Sequence, residues 1–132
     1  MSSRHTIVNP DALAKPTGFS HAVVAGRTIY LAGQTAQRSD GTIAGETMAQ
    51  QYDQAAANVV TALRAAGGEP SQLVSMQIFV TDVTEYRRLS KEVGEAYRRH
   101  FGRHYPAMAL LEVRRLFEPA AEVELMCVAV TA

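Results

Sequence analysis

The pattern of apolar and polar residues divides the first part of the chain into short β-rich runs. Apolar residues dominate 21–25 and 28–33, and Gly26-Arg27 separates these runs. Two β-rich runs on either side of a two-residue glycine turn are typical of a β-hairpin. A shorter run over residues 5–9 predicts one more strand ahead of this hairpin.

Two longer segments carry apolar residues at the spacing of an α-helix. The first begins at residue 46 or 47 and ends at the glycine pair 67–68, because adjacent glycines are strong helix stops. The second begins after a cap at Asp82 or Thr84 and ends at Gly102. We therefore expect a pair of helices in the chain.

Further β-rich runs at residues 73–80, 107–113 and 123–130 complete the pattern. The predicted order is β-β-β-α-β-α-β-β, which is typical of an α+β fold with a mixed sheet and two helices on one face. The sequence contains no internal repeat, low-complexity tract or linker. We therefore expect a single domain over residues 1–132.

The second face of this sheet is predicted to be apolar as well. Along the last strand both alternating sets of side chains are largely apolar: Val123, Leu125, Cys127 and Ala129 against Glu124, Met126, Val128 and Val130. A strand that is apolar on both sides needs cover on both sides. Because two helices cover only one face, we expect the other face to pack against further copies of the chain in a closed cyclic assembly.

Charge and composition exclude several classes of partner. The 132 residues include 13 lysines and arginines and 13 aspartates and glutamates, which leaves no net charge to attract nucleic acid or an anionic membrane. No apolar run approaches the ~20 residues that span a bilayer, and the N-terminal sequence lacks the apolar core of a signal peptide. The only cysteine, Cys127, can form no intramolecular disulfide. These features favour a cytoplasmic protein with neither a membrane nor a nucleic-acid partner.

Glu124 is the charged residue within the apolar run 123–130. A carboxylate is costly at such a position unless it has a partner or water. Two interpretations remain open at this point. Glu124 is either a rim residue in an ion pair with a nearby arginine, or the carboxylate of an interface cleft that positions water or transfers a proton.

Four ordered sequence blocks resemble the Rid/YjgF family, which is also described as endoribonuclease L-PSP. The blocks are GFSHAVVAGRTIYLAGQ (18–34), FVTDVTEY (79–86), YPAMALLEV (105–113) and VELMCVAV (123–130). The resemblance implies a chorismate-mutase-like fold and a homotrimer whose sheets form a central barrel. It also implies clefts between subunits, in which 2-imino or 2-enamino acids are hydrolysed to 2-keto acids and ammonia without a metal or organic cofactor.

Several residues depart from the family pattern at the expected cleft. Met108 stands where the family has the arginine that binds the substrate carboxylate, Phe19 replaces a tyrosine, and Ala32 replaces a serine. The thioether of a methionine cannot replace a bidentate, charge-assisted pair. We therefore expect weak or absent 2-imino-acid deaminase activity and a more apolar or uncharged ligand. The residues that the resemblance places at the ligand are Phe19, Ala32, Gly33, Gln34, Met108 and Leu110.

The resemblance assigns the water-positioning role to Glu124, with Glu122 as the alternative if the alignment shifts. The expected function is hydrolytic release of ammonia from a small imine or enamine. A non-catalytic trimer that binds small molecules or unfolded chains is the alternative, because the substrate-binding arginine is missing. A ribonuclease or translation inhibitor is less favoured, since the sequence has no acid–base histidine pair and no RNA-binding module.

Overall fold

A computed structural model describes residues 4–132, so the first three residues of the predicted domain lie outside the described part. The strands are β1 His5–Val8, β2 Ala22–Ala25, β3 Thr28–Leu31, β4 Leu73–Val80, β5 Ala107–Glu112 and β6 Val123–Val130. The helices are α1 Met48–Ala65, α2 Val83–Arg88 and α3 Ser90–Phe101, and a short 3₁₀ helix spans Pro70–Gln72. The predicted element order is confirmed, apart from the division of the second helix into α2 and α3.

This division lies at Leu89, where the prediction of one continuous helix is wrong. The backbone of Leu89 has φ −99° and ψ 17°, which opens the helical turn between α2 and α3. Asp82 caps α2 by accepting a 3.0 Å hydrogen bond from the Glu85 N–H. The apolar spacing did not reveal the break, because buried Leu89 continues the apolar stripe on both sides of it.

The six strands form one mixed sheet in the order β1-β2-β3-β6-β4-β5. All neighbouring pairs are antiparallel except β4 and β5, which are parallel. A parallel pair requires a crossover connection, and α2 and α3 form that crossover between β4 and β5. The predicted α+β fold with a mixed sheet is confirmed.

One face of the sheet forms the core beneath the helices. From the central strand β6, Val123, Leu125 and Cys127 are buried in the cluster that includes the apolar side of α1. Burial raises the pKa of the Cys127 thiol to about 12, because desolvation disfavours the thiolate. Cys127 therefore packs as a small hydrophobic residue.

A β-bulge at the start of β4 changes one side-chain direction. Strict alternation along β4 would place Leu73 on the same side as Ser75, yet Leu73 is buried in the core. The pairing with β6 shifts its register between Leu73 and Ser75. The extra residue, Val74, is 46% exposed. A bulge of this kind reverses the side-chain alternation over one residue, so Leu73 joins the core face.

The opposite face of the sheet, here called the open face, remains accessible across several strands. The register places these side chains on it: Ile7, Val23, Tyr30, Phe79, Leu111, Glu124, Met126 and Val128. The sequence prediction of a largely apolar, uncovered face is therefore confirmed for the single chain. Within residues 4–132 no helix is long and apolar enough to cross a membrane.

Gly68 provides a direct test of packing where α1 meets the sheet. A Cβ atom at this position would lie 2.5 Å from Leu63 Cδ1 and 2.9 Å from Ile29 Cδ1. We expect Gly68→Ala to lower the free energy of unfolding by about 1–3 kcal/mol, because the buried neighbours must move. Urea unfolding measures this change.

Gly94→Ala is the matched control, since Gly94 lies inside α3 and its Cβ would meet only Arg98, at 3.4 Å. Alanine is the better helix former, so this variant should gain up to about 1 kcal/mol. A Gly68→Ala variant as stable as Gly94→Ala would contradict the packing described here.

Candidate active site

An open cleft of about 650 Å³ lies beside the start of β6. Three loops and one strand supply its walls. The loop before β2 contributes Lys15, Thr17 and Phe19; the segment after β3 contributes Ala32, Gly33, Thr35 and Gln37; the loop between β5 and β6 contributes Phe117 and Glu118; and β6 contributes Glu124. The cleft therefore brings together Phe19, Ala32, Gly33 and Glu124 from the set predicted for the ligand site.

Glu124 lies over the backbone of Gly33. It is the second residue of β6 and stands on the open face, opposite Phe79 of β4. A Cβ atom on residue 33 would come within 2.6 Å of Glu124 Oε2 and 2.7 Å of its Cδ. Real Cβ atoms essentially never approach another heavy atom so closely. Glycine at position 33 is thus what leaves room for the carboxylate.

The Glu124 carboxylate has no partner of its own within residues 4–132. Among residues 4–132 no group forms a hydrogen bond or an ion pair with it; the ion pairs within that range involve Asp53, Glu69 and Glu85. Burial raises the pKa of Glu124 above its ordinary value, because desolvation disfavours the charged form. The interpretation of Glu124 as a residue in an ion pair with an arginine therefore finds no such arginine among the described residues.

The backbone at Gly33 departs from regular strand geometry. The Ala32 N–H donates to the His21 carbonyl on the β2 side at 2.8 Å, whereas the Gln34 N–H donates to the Leu125 carbonyl on β6 at 2.8 Å. Residues two apart in a regular strand donate to the same neighbour. Within the described range the Gly33 N–H takes part in no hydrogen bond, so it is available to a ligand acceptor beside Glu124.

Gln34 supports the cleft from behind rather than lining it. Its side-chain amide donates to His21 Nδ1 at 3.1 Å, and His21 Nε2 donates to the Ala14 carbonyl at 2.7 Å. Both side chains are buried, and the His21 ring packs edge-on against Phe19 with centroids 5.4 Å apart. This network ties the loop that carries Phe19 to the strand segment that carries Gly33.

Met108 and Leu110 lie on the other side of the sheet from Glu124. In the parallel pairing they stand opposite Met76 and Ile78, which point into the core beneath the helices. Met108 lines a separate groove of about 270 Å³, whose wall is rich in tyrosines: Tyr52, Tyr86, Tyr97 and Tyr105. A single chain therefore does not bring Met108 or Leu110 to the cleft that contains Glu124.

Sequence reasoning missed the loop residues of the cleft. Thr17, Thr35 and Gln37 stand in segments without a regular apolar period, so periodicity could not select them. Their position in the sequence could have indicated them, because Thr17, Thr35 and Gln37 each lie within a few residues of Phe19 or Gly33. Phe117 offered a second signal as a lone aromatic residue in a polar loop. The missed lining residues are Lys15, Thr17, Thr35, Gln37, Phe117 and Glu118.

The backbone of Glu122 is hydrogen-bonded away from the cleft, which distinguishes Glu122 from Glu124. The Glu122 N–H donates to Gln51 Oε1 at 2.8 Å, and its carbonyl accepts from the Thr81 N–H at 3.0 Å. Glu122 is absent from the cleft lining, whereas Glu124 belongs to it.

Over residues 4–132 no group of three or more His, Cys, Asp or Glu side chains is arranged to hold a metal ion.

Gly33→Ala should move the Glu124 carboxylate without unfolding the protein. Gly33 has no left-handed φ, and the obstructed atoms belong to the end of a flexible side chain, so we expect a stability loss of no more than about 1 kcal/mol. The displaced carboxylate gains solvent, and its pKa should fall toward the ordinary carboxyl range. NMR titration of the Glu124 side-chain carboxyl measures this shift. Gly94→Ala is the control, and an unchanged Glu124 pKa in Gly33→Ala would contradict the contact.

Comparisons with known proteins agree with this architecture. The model of the family described as Endoribonuclease L-PSP matches residues 9–131. The human protein named 2-iminobutanoate/2-iminopropanoate deaminase is 29% identical over 113 residues, which cover 85% of this chain and 79% of the relative. The Drosophila melanogaster RutC family protein UK114 is 30% identical over 122 residues, which cover 89% of this chain and 83% of that protein.

A solved structure shares the fold along nearly the whole chain. The crystal structure of a putative endoribonuclease from Thermotoga maritima superposes with a TM-score of 0.86 and is 27% identical, covering 96% of this chain and 98% of that one. The family match spans far more than half of the sequence, and the motifs noted above lie within it. The chain therefore belongs to the endoribonuclease L-PSP family, which is the Rid/YjgF family.

Proposed function

We propose that this protein is a hydrolytic deaminase that releases ammonia from a small imine or enamine. The observation that carries the proposal is the half-buried Glu124 carboxylate, which lacks a partner within residues 4–132 and lies against Gly33, whose N–H is also unused. A carboxyl group whose pKa is raised by burial in a cleft is suited to proton transfer. Relatives named 2-iminobutanoate/2-iminopropanoate deaminase support the same reaction class.

Ionised Glu124 begins the proposed reaction as a general base. It takes a proton from a water molecule while the water oxygen bonds to the imine carbon, and the C=N π pair moves to nitrogen. Glu124 then gives this proton to nitrogen, which completes a carbinolamine. The Gly33 N–H donates a hydrogen bond to the nitrogen as it gains charge from the π pair.

The second half of the reaction restores Glu124. It takes the hydroxyl proton as the carbonyl forms, the C–N bond breaks, and the nitrogen receives that proton and leaves as ammonia. One imine and one water give one carbonyl compound and one ammonia, with no change of oxidation state. An enamine enters this scheme after protonation at carbon and loss of an N–H proton convert it to the imine.

The cleft is proposed to be completed by a second copy of the chain. Met108 and Leu110 lie on the face opposite Glu124, so they reach a ligand beside Glu124 only if a neighbouring subunit presents them. The accessible apolar side chains of the open face favour such packing. A homotrimer with its open faces inward and its clefts between subunits meets both requirements.

Met108 also bears on the ligand of the proposed site. A methionine side chain offers apolar contact but no charge, so a substrate carboxylate would lose its bidentate partner there. The proposal therefore includes weak or absent 2-imino-acid activity. A non-catalytic binding or holdase trimer is the second candidate, favoured by this same loss of a charged contact.

The ribonuclease alternative has less support from the cleft. Its described lining contains no histidine, whereas a ribonuclease of this kind would use an acid–base histidine pair. The nearest ring, that of His21, is buried and bonded to Ala14 and Gln34.

Glu124→Gln should abolish turnover while stabilising the protein at neutral pH. We expect a loss of ~100-fold or more in kcat, as for removal of a general base. The measurement is release of carbonyl product from imines generated in situ by an amine or amino-acid oxidase. Wild-type kcat should fall as pH decreases through the raised Glu124 pKa, at a higher pH than for an ordinary carboxyl. Equal rates in Glu124→Gln and wild type would remove Glu124 from the mechanism.

The stability of wild type should depend on pH through Glu124, whereas that of Glu124→Gln should not. A carboxyl whose pKa is raised by folding stabilises the native state when protonated, fully below its unfolded pKa of about 4.3, and this stability is lost as pH rises through the folded pKa. Glutamine is uncharged throughout. The melting temperature of Glu124→Gln should therefore exceed that of wild type at pH 7, and the difference should close in acid.

Met126→Glu tests the proposed assembly. Met126 stands in the middle of the open face, so a carboxylate there would be buried between subunits without a partner. Sedimentation should show trimers for wild type and for the control Ala65→Glu, which alters an exposed position on α1, and smaller species for Met126→Glu. A wild-type monomer at micromolar concentration would overturn the trimer.

A further inference from the structure

Two phenyl rings from separate loops line the cleft that contains Glu124. Phe117, from the loop between β5 and β6, is 98% exposed, and Phe19, from the loop before β2, is 52% exposed. A single exposed phenylalanine is ordinary on a protein surface. Two such rings in one concave site, with a half-buried carboxylate between its walls, are the composition of a small-molecule site that binds an apolar group.

The rings differ in how firmly the chain holds them. Phe19 packs against His21, and His21 is fixed by hydrogen bonds to Ala14 and Gln34, so Phe19 is a preorganised wall. Phe117 has no aromatic neighbour within residues 4–132 and almost no contact of any kind. Its apolar surface is covered only when something enters the cleft or packs over it.

The charges around the cleft disfavour an anionic ligand. Lys15 is the cation among the described lining residues, and it is offset by Glu118 and Glu124. An anionic ligand would therefore meet a lining with a negative balance when Glu124 is ionised for catalysis. The groove residue expected from a neighbouring copy, Met108, adds no positive charge.

We propose that this cleft selects an uncharged imine or enamine that carries an aromatic substituent, held between Phe19 and Phe117 with its reacting carbon toward Glu124. The inference rests on the proposed deaminase function for its chemistry, but the ring-binding site stands on the two phenylalanines and the lining charges. A ligand ring can stack on either phenyl ring or meet it edge to face, and both arrangements leave the C=N group free to meet the water.

Four imines, generated in situ, test separately whether the cleft prefers an aromatic substituent and whether it prefers an uncharged ligand. Amine oxidase supplies uncharged imines from phenethylamine and ethylamine, and amino-acid oxidase supplies anionic ones from phenylalanine and alanine. We expect kcat/KM to be highest for the phenethylamine imine, by ~10-fold or more over the ethylamine imine and over the phenylalanine imine. A preference for either anionic imine would overturn the inference.

Two cleft variants and one neighbour test which residues set the preference. Phe117→Ala and Phe19→Ala should each lower the ratio of kcat/KM for phenethylamine imine over ethylamine imine by ~10-fold. Leu116→Ala changes the same loop beside Phe117 without touching the described lining, so its ratio should match wild type. An unchanged ratio in both phenylalanine variants would overturn the assignment.

A binding measurement separates failure of this inference from failure of the deaminase proposal. The chain contains no tryptophan, so Phe117→Trp places a unique fluorophore at the cleft. Phenylacetamide should shift its emission to shorter wavelength at concentrations ~10-fold lower than phenylacetate, its anionic counterpart. Binding of phenylacetamide without deamination would reject the enzyme and keep the ligand class.

The converse results overturn the inference. Deamination of small imines without a fluorescence response to phenylacetamide would keep the enzyme and reject the aromatic ligand. Emission that is already at short wavelength in the free protein, and unresponsive to either probe, would show that a second copy covers residue 117 instead of a ligand.

Discussion

The central strand β6 carries apolar side chains on both faces of the sheet, and both faces need cover. The fold and the candidate site depend on this constraint. Its side chains at 123, 125 and 127 are closed off beneath α1, while those at 124, 126 and 128 face away from every helix. The first set makes the chain fold by removing apolar surface from water. The second set leaves an apolar sheet face with one acid, Glu124, at its edge. This acid lines the candidate active site.

That acid is accommodated by the absence of a side chain opposite it. Gly33 leaves the space that Glu124 occupies, and the same glycine interrupts the hydrogen-bond alternation between Ala32 and Gln34. One substitution-sensitive point thus determines both the position of a carboxylate and the freedom of a backbone donor. The buried His21–Gln34 pair adds rigidity from behind, since Gln34 Nε2 is bonded to His21 Nδ1 and His21 Nε2 to the Ala14 carbonyl.

Much of the fold could be predicted from sequence because its signals are local. The Gly26-Arg27 turn, the Thr47 cap of α1 and the glycine stop at 67–68 all occur where the pattern required them. The break at Leu89 and the bulge at Val74 were missed for one physical reason: each keeps apolar residues on the buried side, so the spacing hardly changes. Tertiary packing, rather than propensity, determines such irregularities.

The candidate site was partly predictable for a different reason. Phe19, Gly33 and Glu124 converge because antiparallel pairing brings the segment after β3 beside the start of β6. Met108 belongs to the opposite face, and no property of a single strand reveals which copy of a chain will complete a cleft. Phe117 stands in a loop without an apolar period, so only the folded structure shows that it lies at the same cleft.

The lone thiol of Cys127 has a consequence for how the molecule tolerates its surroundings. It is enclosed under α1, and its pKa of about 12 leaves almost no thiolate at physiological pH. Peroxides and alkylating reagents attack the thiolate, so the native protein should withstand both until the layer beneath α1 opens. The rate at which the Cys127 thiol is modified in the native protein therefore reports how often the core opens transiently.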